Sequence, residues 1–106
     1  MNKMTEIVTM TLNEGISAEN FLSIVNELEI NFHSKQPGYL DTELLQNEKD
    51  GTWIMIQHWD CVENLKAASR KMFSDSSTEA FRNVLIPQNV KITIHPQLGT
   101  WSISEM

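Results

Sequence analysis

A single cysteine, Cys61, stands among the 106 residues. No disulfide within the chain can therefore hold the fold, and no cluster of thiolates can hold a metal. Histidine is nearly as scarce. His33, His58 and His95 include no pair at i, i+3 or i, i+4 spacing and no His-Glu-x-x-His run, so no metal site is expected. Basic residues number 8 against 14 acidic ones, a formal net charge of -6, and the longest basic cluster is Arg70-Lys71. Phosphate binding rests on clustered Lys and Arg, so no nucleic-acid partner is expected. No apolar run approaches the roughly 20 residues that span a bilayer. The opening Met1-Asn2-Lys3-Met4-Thr5-Glu6 turns polar before a signal-peptide core could build up. A soluble cytoplasmic protein is the expectation, with no membrane partner.

Hydrophobic residues make up 41% of the chain and charged residues 21%, the balance of an ordinary globular domain. The length suits one core, so residues 1–106 are read as a single domain, with its core over about 4–100 and a short C-terminal tail at 102–106. Met4 to Leu12 alternates, with Met4, Val8, Met10 and Leu12 on one side and Ile7, Thr9 and Thr11 on the other, which predicts a first strand. Ser17 is placed to cap a helix whose stripe is Phe21, Ile24, Val25, Leu28 and Phe32, and Gln36-Pro37-Gly38 ends it. Tyr39 to Gln46 and Thr52 to Trp59 read as strands joined by a hairpin at Asp50-Gly51.

Directly after Trp59, Asp60 and Glu63 are spaced as a capping pair for a helix carrying Val62, Leu65, Ala68, Ser69 and Met72. A shorter helix with Phe81, Val84 and Leu85 inward stops before Pro87, and Val90, Ile92 and Ile94 alternate in a last strand ending at Pro96. The order is βαββα(α)β. Its simplest packing is α+β and ferredoxin-like, a four-stranded antiparallel sheet with the helices on one face. The third strand is apolar on both sides, Trp53 and Met55 against Ile54 and Ile56. The face without helices should therefore be covered, and a homodimer packed sheet to sheet would cover it.

Candidate chemistry is sparse. His58 precedes Trp59 on a strand with few polar groups, which suits either a hydrogen-bonded core histidine or a pocket acid–base group. His33 closes the first helix, where a surface cation favours the dipole, and His95 flanks Pro96 at a strand end. Cys61 lies in the first turn of a helix, but the neighbouring Asp60 and Glu63 oppose a thiolate, so it reads as structural. Phe21, Phe32, Trp53, Trp59, Met72, Phe73, Phe81 and Trp101 could line a pocket for a flat molecule, or simply build the core. There is no phosphate loop, nucleophile elbow or nucleotide fingerprint.

Gln36-Pro37-Gly38-Tyr39, the Asp50-Gly51 hairpin, the strand into His58-Trp59-Asp60, Glu63-Asn64-Leu65-Lys66-Ala67-Ala68 and Phe81-Arg82-Asn83-Val84-Leu85-Ile86 together carry a resemblance. In this order and spacing, over about residues 4 to 100, the chain resembles the antibiotic-biosynthesis-monooxygenase-like family of dimeric α/β-barrel proteins. That family includes cofactor-independent quinol oxygenases, haem-degrading oxygenases and members of unassigned function. The haem degraders use an Asn, a Trp and a His at positions that fall here on Val8, on Ala68 and near Thr78 or Glu79. Many quinol-type members place a His at the position of Ala68.

The resemblance therefore implies the fold, disfavours haem breakdown, and sets the chain beside the unassigned subgroup. It implies a cofactor-free, homodimeric, monooxygenase-like protein acting on a small aromatic or quinone-like molecule. Its hydrophobic pocket would be lined by Met10, Phe21, Ala68, Met72, Phe73 and Phe81, with His58 as the base. The alternative is a dimeric small-molecule-binding module that keeps the fold without the chemistry.

Overall fold

Seven regular elements follow one another in the computed structural model, which describes residues 2–103. They are β1 (Met4–Met10), α1 (Ala18–Asn31), β2 (Tyr39–Gln46), β3 (Trp53–Trp59), α2 (Val62–Met72), α3 (Glu79–Val84) and β4 (Lys91–Pro96). The ends of the expected domain, Met1 and residues 104–106 of the tail, lie outside the described residues.

The strands form one antiparallel sheet in the order β2-β3-β1-β4, the α+β, ferredoxin-like arrangement expected. In β1 against β3, Met4 pairs with Trp59, Glu6 with Gln57, Val8 with Met55 and Met10 with Trp53. Side chains alternate across a strand, so these eight share the helix side, and Thr5, Ile7, Thr9, Ile54, Ile56 and His58 share the other. A register irregularity between Tyr39 and Asp41 sets Asp41 opposite His58 on that open side.

The core lies between the sheet and the helices. Met10, Phe21, Val25, Leu28, Phe32, Trp53, Met55 and Phe81 form its larger cluster, and Trp59, Leu65 and Ala68 a second one under α2. Burying a side chain of Leu or Phe size is worth about 1.5–3 kcal/mol, whereas a helix cap adds about 1 kcal/mol. Packing, not capping, holds the helices on the sheet. Ser17 does cap α1 as expected, its hydroxyl accepting from Asn20 N at 3.1 Å. The capping pair expected at Asp60 and Glu63 does not form. Cys61 occupies the cap position without a side-chain bond, and Asp60 instead accepts from Asn64 Nδ2 at 2.9 Å.

Gly38 explains why the loop before β2 is written Pro-Gly. Its φ is +80°, and a Cβ there would lie 2.8 Å from Asn64 Cβ. Its carbonyl accepts from Asp60 N at 2.9 Å, fixing the end of β3 and the start of α2 against the exit from α1.

Candidate functional site

Between the sheet, α2 and α3 lies a cavity of about 330 Å³, at the small end of the range for ligand sites. Its walls are largely apolar. Val8, Met55 and Trp59 form the floor, Ala68 and Met72 come from α2 and Phe73 from its C-cap, and Phe81 and Leu85 come from α3 and its end. Val90 and Ile92 border it beside β4, an edge strand exposed along its whole length.

Two polar features interrupt this surface. Glu6, His33, Gln57 and Ser69 form one, and Arg82 is the other. The first is built by strand alternation and one helix spacing. Glu6 and Gln57 are a cross-strand pair on the helix side, 7% and 2% exposed. Burial pushes the Glu6 carboxyl above its ordinary range, against the opposing pull of His33 and of a hydrogen bond from Ser69.

His33 stands one helical turn after Glu29, in the single 3₁₀ turn that follows α1. Its Nδ1 lies 2.5 Å from Glu29 Oε2, which fixes the Nδ1–H tautomer when the carboxylate is ionised. Thr42 donates to Glu29 Oε1, and the Tyr39 hydroxyl bridges the pair, 3.1 Å from Glu29 and 2.6 Å from Thr42. Burial opposes ionisation of Glu29, but the hydrogen bonds from His33, Thr42 and Tyr39 and the charge of His33 outweigh it, holding the carboxyl below its usual range. Burial, with Glu29 beside it, pushes the Tyr39 phenol up to about 12. Gln57 Nε2 donates to Thr42 Oγ1 at 3.1 Å and lies 3.1 Å from His33 Nδ1 and 3.2 Å from His33 Nε2. The imidazole is thus oriented by a carboxylate on Nδ1, with a neutral amide nitrogen lying against both of its ring nitrogens.

The expected site residues divide. Ala68, Met72, Phe73 and Phe81 line the cavity, Phe73 from an exposed position at its rim. Met10 and Phe21 do not. Both are fully buried, with Phe21 sealed between Trp53 and Phe81 at ring-centroid distances of 4.9 and 6.1 Å. His58 is not brought to the cavity either. The register puts it on the opposite face of the sheet, where Nδ1 meets Asp41 Oδ1 at 2.6 Å.

His33 corrects the surface expectation in the other direction, being 3% exposed and part of the cavity wall. Cys61 is buried, and burial together with the Asp60 and Glu63 carboxylates outweighs a backbone hydrogen bond to raise its thiol pKa. Trp101 lies clear of the core, 91% exposed. Val8 and Ala68 add only apolar wall, and Thr78 is fully buried beneath Arg82. Trp59 also borders the cavity, and its indole N–H is buried with no partner among the described residues. No three His, Cys, Asp or Glu side chains converge as metal ligands among the described residues. No helix there is long and apolar enough to cross a membrane.

No family model and no curated protein matches the sequence. Solved structures do match in shape. A mutant of SnoaB, a cofactor-independent oxygenase from Streptomyces nogalater, superposes with a TM-score of 0.73 at 18% identity, covering 94% of this chain and 97% of that one. A protein from Chloroflexus aurantiacus provisionally named an antibiotic biosynthesis monooxygenase gives 0.69 at 20% identity, with 96% and 99% covered. PA3566 from Pseudomonas aeruginosa gives 0.62 at 23% identity, with 93% and 97% covered. At these identities the likeness establishes the fold: the chain has the fold of antibiotic-biosynthesis-monooxygenase-like proteins along nearly its whole length, as the sequence motifs implied.

Proposed function

We propose that the cavity binds a small aromatic or quinol-like molecule and that the protein is a cofactor-free monooxygenase-like enzyme in which His33 is the base. The observation that carries this reading is the Glu29–His33 pair at the wall of a largely apolar cavity. A neutral imidazole whose Nδ1–H is held by a carboxylate offers Nε2 to a phenolic proton. The resulting imidazolium is stabilised by Glu29. Gln57 Nε2 now touches that nitrogen, and a rotation of its amide would yield the place to the substrate hydroxyl. Deprotonation leaves an electron-rich phenolate, the form that dioxygen oxidises, in a largely apolar site. The shape shared with SnoaB, described as a cofactor-independent oxygenase, supports the same reading.

Oxygen uptake on a substituted naphthohydroquinone, corrected for protein-free autoxidation, tests it. Removing a general base costs typically 10² to 10⁴ in rate, so His33→Asn should lower turnover at least a hundredfold while remaining folded. Unchanged turnover in that variant would remove His33 from the chemistry. The satisfied state of His33, bonded to Glu29 and touched by Gln57, favours a second reading as a binding module. Binding without any protein-dependent oxygen uptake by the wild type would establish that one.

We also infer a homodimer formed through the open face of the sheet, acting in the cytoplasm. Ile7, Ile54 and Ile56 are carried at its centre and no helix among the described residues covers them. A stable interface buries more than about 1,000 Å² in total, which a four-stranded face can supply. Sedimentation at micromolar concentration should give twice the chain mass, and Ile56→Glu should halve it. A wild-type monomer would refute the dimer.

A further inference from the structure

Arg82 is the one cationic side chain in the cavity wall outside the His33 cluster. Its position in the last turn of α3 would by itself be a routine complement to the helix dipole. Its setting is more specific. Arg82 Nε donates to Thr78 Oγ1 at 2.9 Å, and Nη2 reaches the carbonyl of Asp75 at 3.4 Å. Thr78 is fully buried, and its own hydroxyl donates to the Met72 carbonyl at 2.6 Å, so the guanidinium rests on a rigid support. Among the described residues, both N–H groups of Nη1 and one of Nη2 have no protein partner and no carboxylate lies within ion-pair distance of Arg82.

Of the nearby carboxyls, Glu29 is engaged by His33, and Glu6, itself in the cavity wall, makes no ion pair with Arg82. They belong to the end of the sheet marked by the Glu6–Gln57 pair. Helix α3 packs toward the other end, where Leu85 bridges to Leu12 and Phe81 stacks on Phe21. A half-buried guanidinium with donors to spare, beside an apolar wall, is suited to a planar carboxylate taken through two parallel hydrogen bonds.

We propose that Arg82 makes this cavity selective for aromatic hydroxy acids, the carboxylate on the free edge of Arg82, the ring over Val8, Met55 and Phe81, and the hydroxyl directed to His33. This rests on the reading of the cavity as an aromatic-binding site, but it does not require turnover. It adds the charge and polarity of the ligand, which that reading leaves open.

Two probes of one shape, 2-naphthol and 6-hydroxy-2-naphthoate, separate the claims by isothermal titration calorimetry at neutral pH. The naphthoate should bind at least tenfold more tightly than the naphthol, and the preference should shrink as salt is raised. Arg82→Met should abolish the preference while leaving naphthol affinity within twofold, and Arg82→Lys should keep part of it. Arg82→Gln, which retains a donor for Thr78, guards against loss of the α3 support and should behave as the Met variant does. Equal affinity of the wild type for both probes would overturn the role of Arg82 and leave the aromatic site standing. Equal weakening of both probes in Arg82→Gln would reduce Arg82 to a structural part and overturn the inference. Binding of neither probe would overturn the aromatic site itself, and this inference with it.

Discussion

Replacing Glu29 tests the side-chain network that fixes His33, and the size of the effect follows from what each substitution strands. Glu29→Leu removes the acceptor of the His33 Nδ1–H and of the Thr42 hydroxyl. Tyr39 and Thr42 still bond each other at 2.6 Å, so the hydroxyls keep a partner. His33, at 3% exposure, is left with the Gln57 amide nitrogen, itself a donor, 3.1 Å from the nitrogen of its stranded N–H. A buried donor without a partner costs about 1–3 kcal/mol, and a charge-assisted bond contributes about 1.5–3 kcal/mol. The loss should therefore be about 3 kcal/mol. Glu29→Gln keeps a carbonyl oxygen where the imidazole donates, and should lose about 1 kcal/mol. With a urea slope of about 2 kcal/mol per molar for a domain of this size, the midpoints should fall by about 1.5 M and about 0.5 M respectively, at unchanged slope. A Leu variant within about 0.5 kcal/mol of wild type would refute the claim that His33 depends on this acceptor. Equal losses in Leu and Gln would refute the hydrogen-bond account in favour of charge alone.

Acidity gives the same network a second reading. The Glu29 pKa is lowered in the folded protein. Its contribution is present above the unfolded carboxyl value and is lost as pH falls through the folded value. The gap between wild type and Glu29→Gln should narrow in that acid window.

Glu6 carries the opposite sign. Its folded pKa is raised, so it favours the folded state below the unfolded value and that advantage is lost as pH rises through the folded one; Glu6→Gln should thus raise the melting temperature at pH 7 and bring no gain in acid. A melting temperature unchanged or lowered at pH 7 would contradict the burial argument. Gly38→Ala combines a positive φ with a Cβ pressed on Asn64, and should cost about 2–4 kcal/mol in denaturant unfolding. An Ala variant as stable as wild type would show that the loop can relax. His58→Gln should leave oxygen uptake intact, because His58 lies across the sheet from the cavity; a fall comparable to that of His33→Asn would return the chemistry to the open face. Haem with a reductant should be degraded no faster than without protein, since Val8 and Ala68 add only apolar wall, and a catalytic loss of the Soret band would contradict that.

The order of elements was legible because each has a local cause: the alternation in β1, the stripe from Phe21 to Phe32, the Ser17 cap and the Gly38 turn. The site was less legible, and the reason lies in β3. Trp53, Met55, Gln57 and Trp59 occupy one face and Ile54, Ile56 and His58 the other, so a strand apolar on both sides does not tell which face meets the helices. A shift of one residue exchanges the two sets, and with them the choice between Gln57 and His58 as the cavity's polar group. The partner strand held the information. Met4, Val8 and Met10 were grouped as one face, and the same period of two places Glu6 among them, an acid in an apolar row. A second clue was the spacing of Glu29 and His33, which puts a carboxylate and an imidazole one turn apart where α1 ends. A histidine at a helix end is ordinarily a surface cation. Here the chain tightens into a 3₁₀ turn straight after α1 and carries His33 under the sheet beside Tyr39 and Trp59. That change of direction depends on the bond from Gly38 to Asp60 and on the packing of Phe32. The side chain with the best geometry for chemistry is thus placed by tertiary contacts that no local pattern announces.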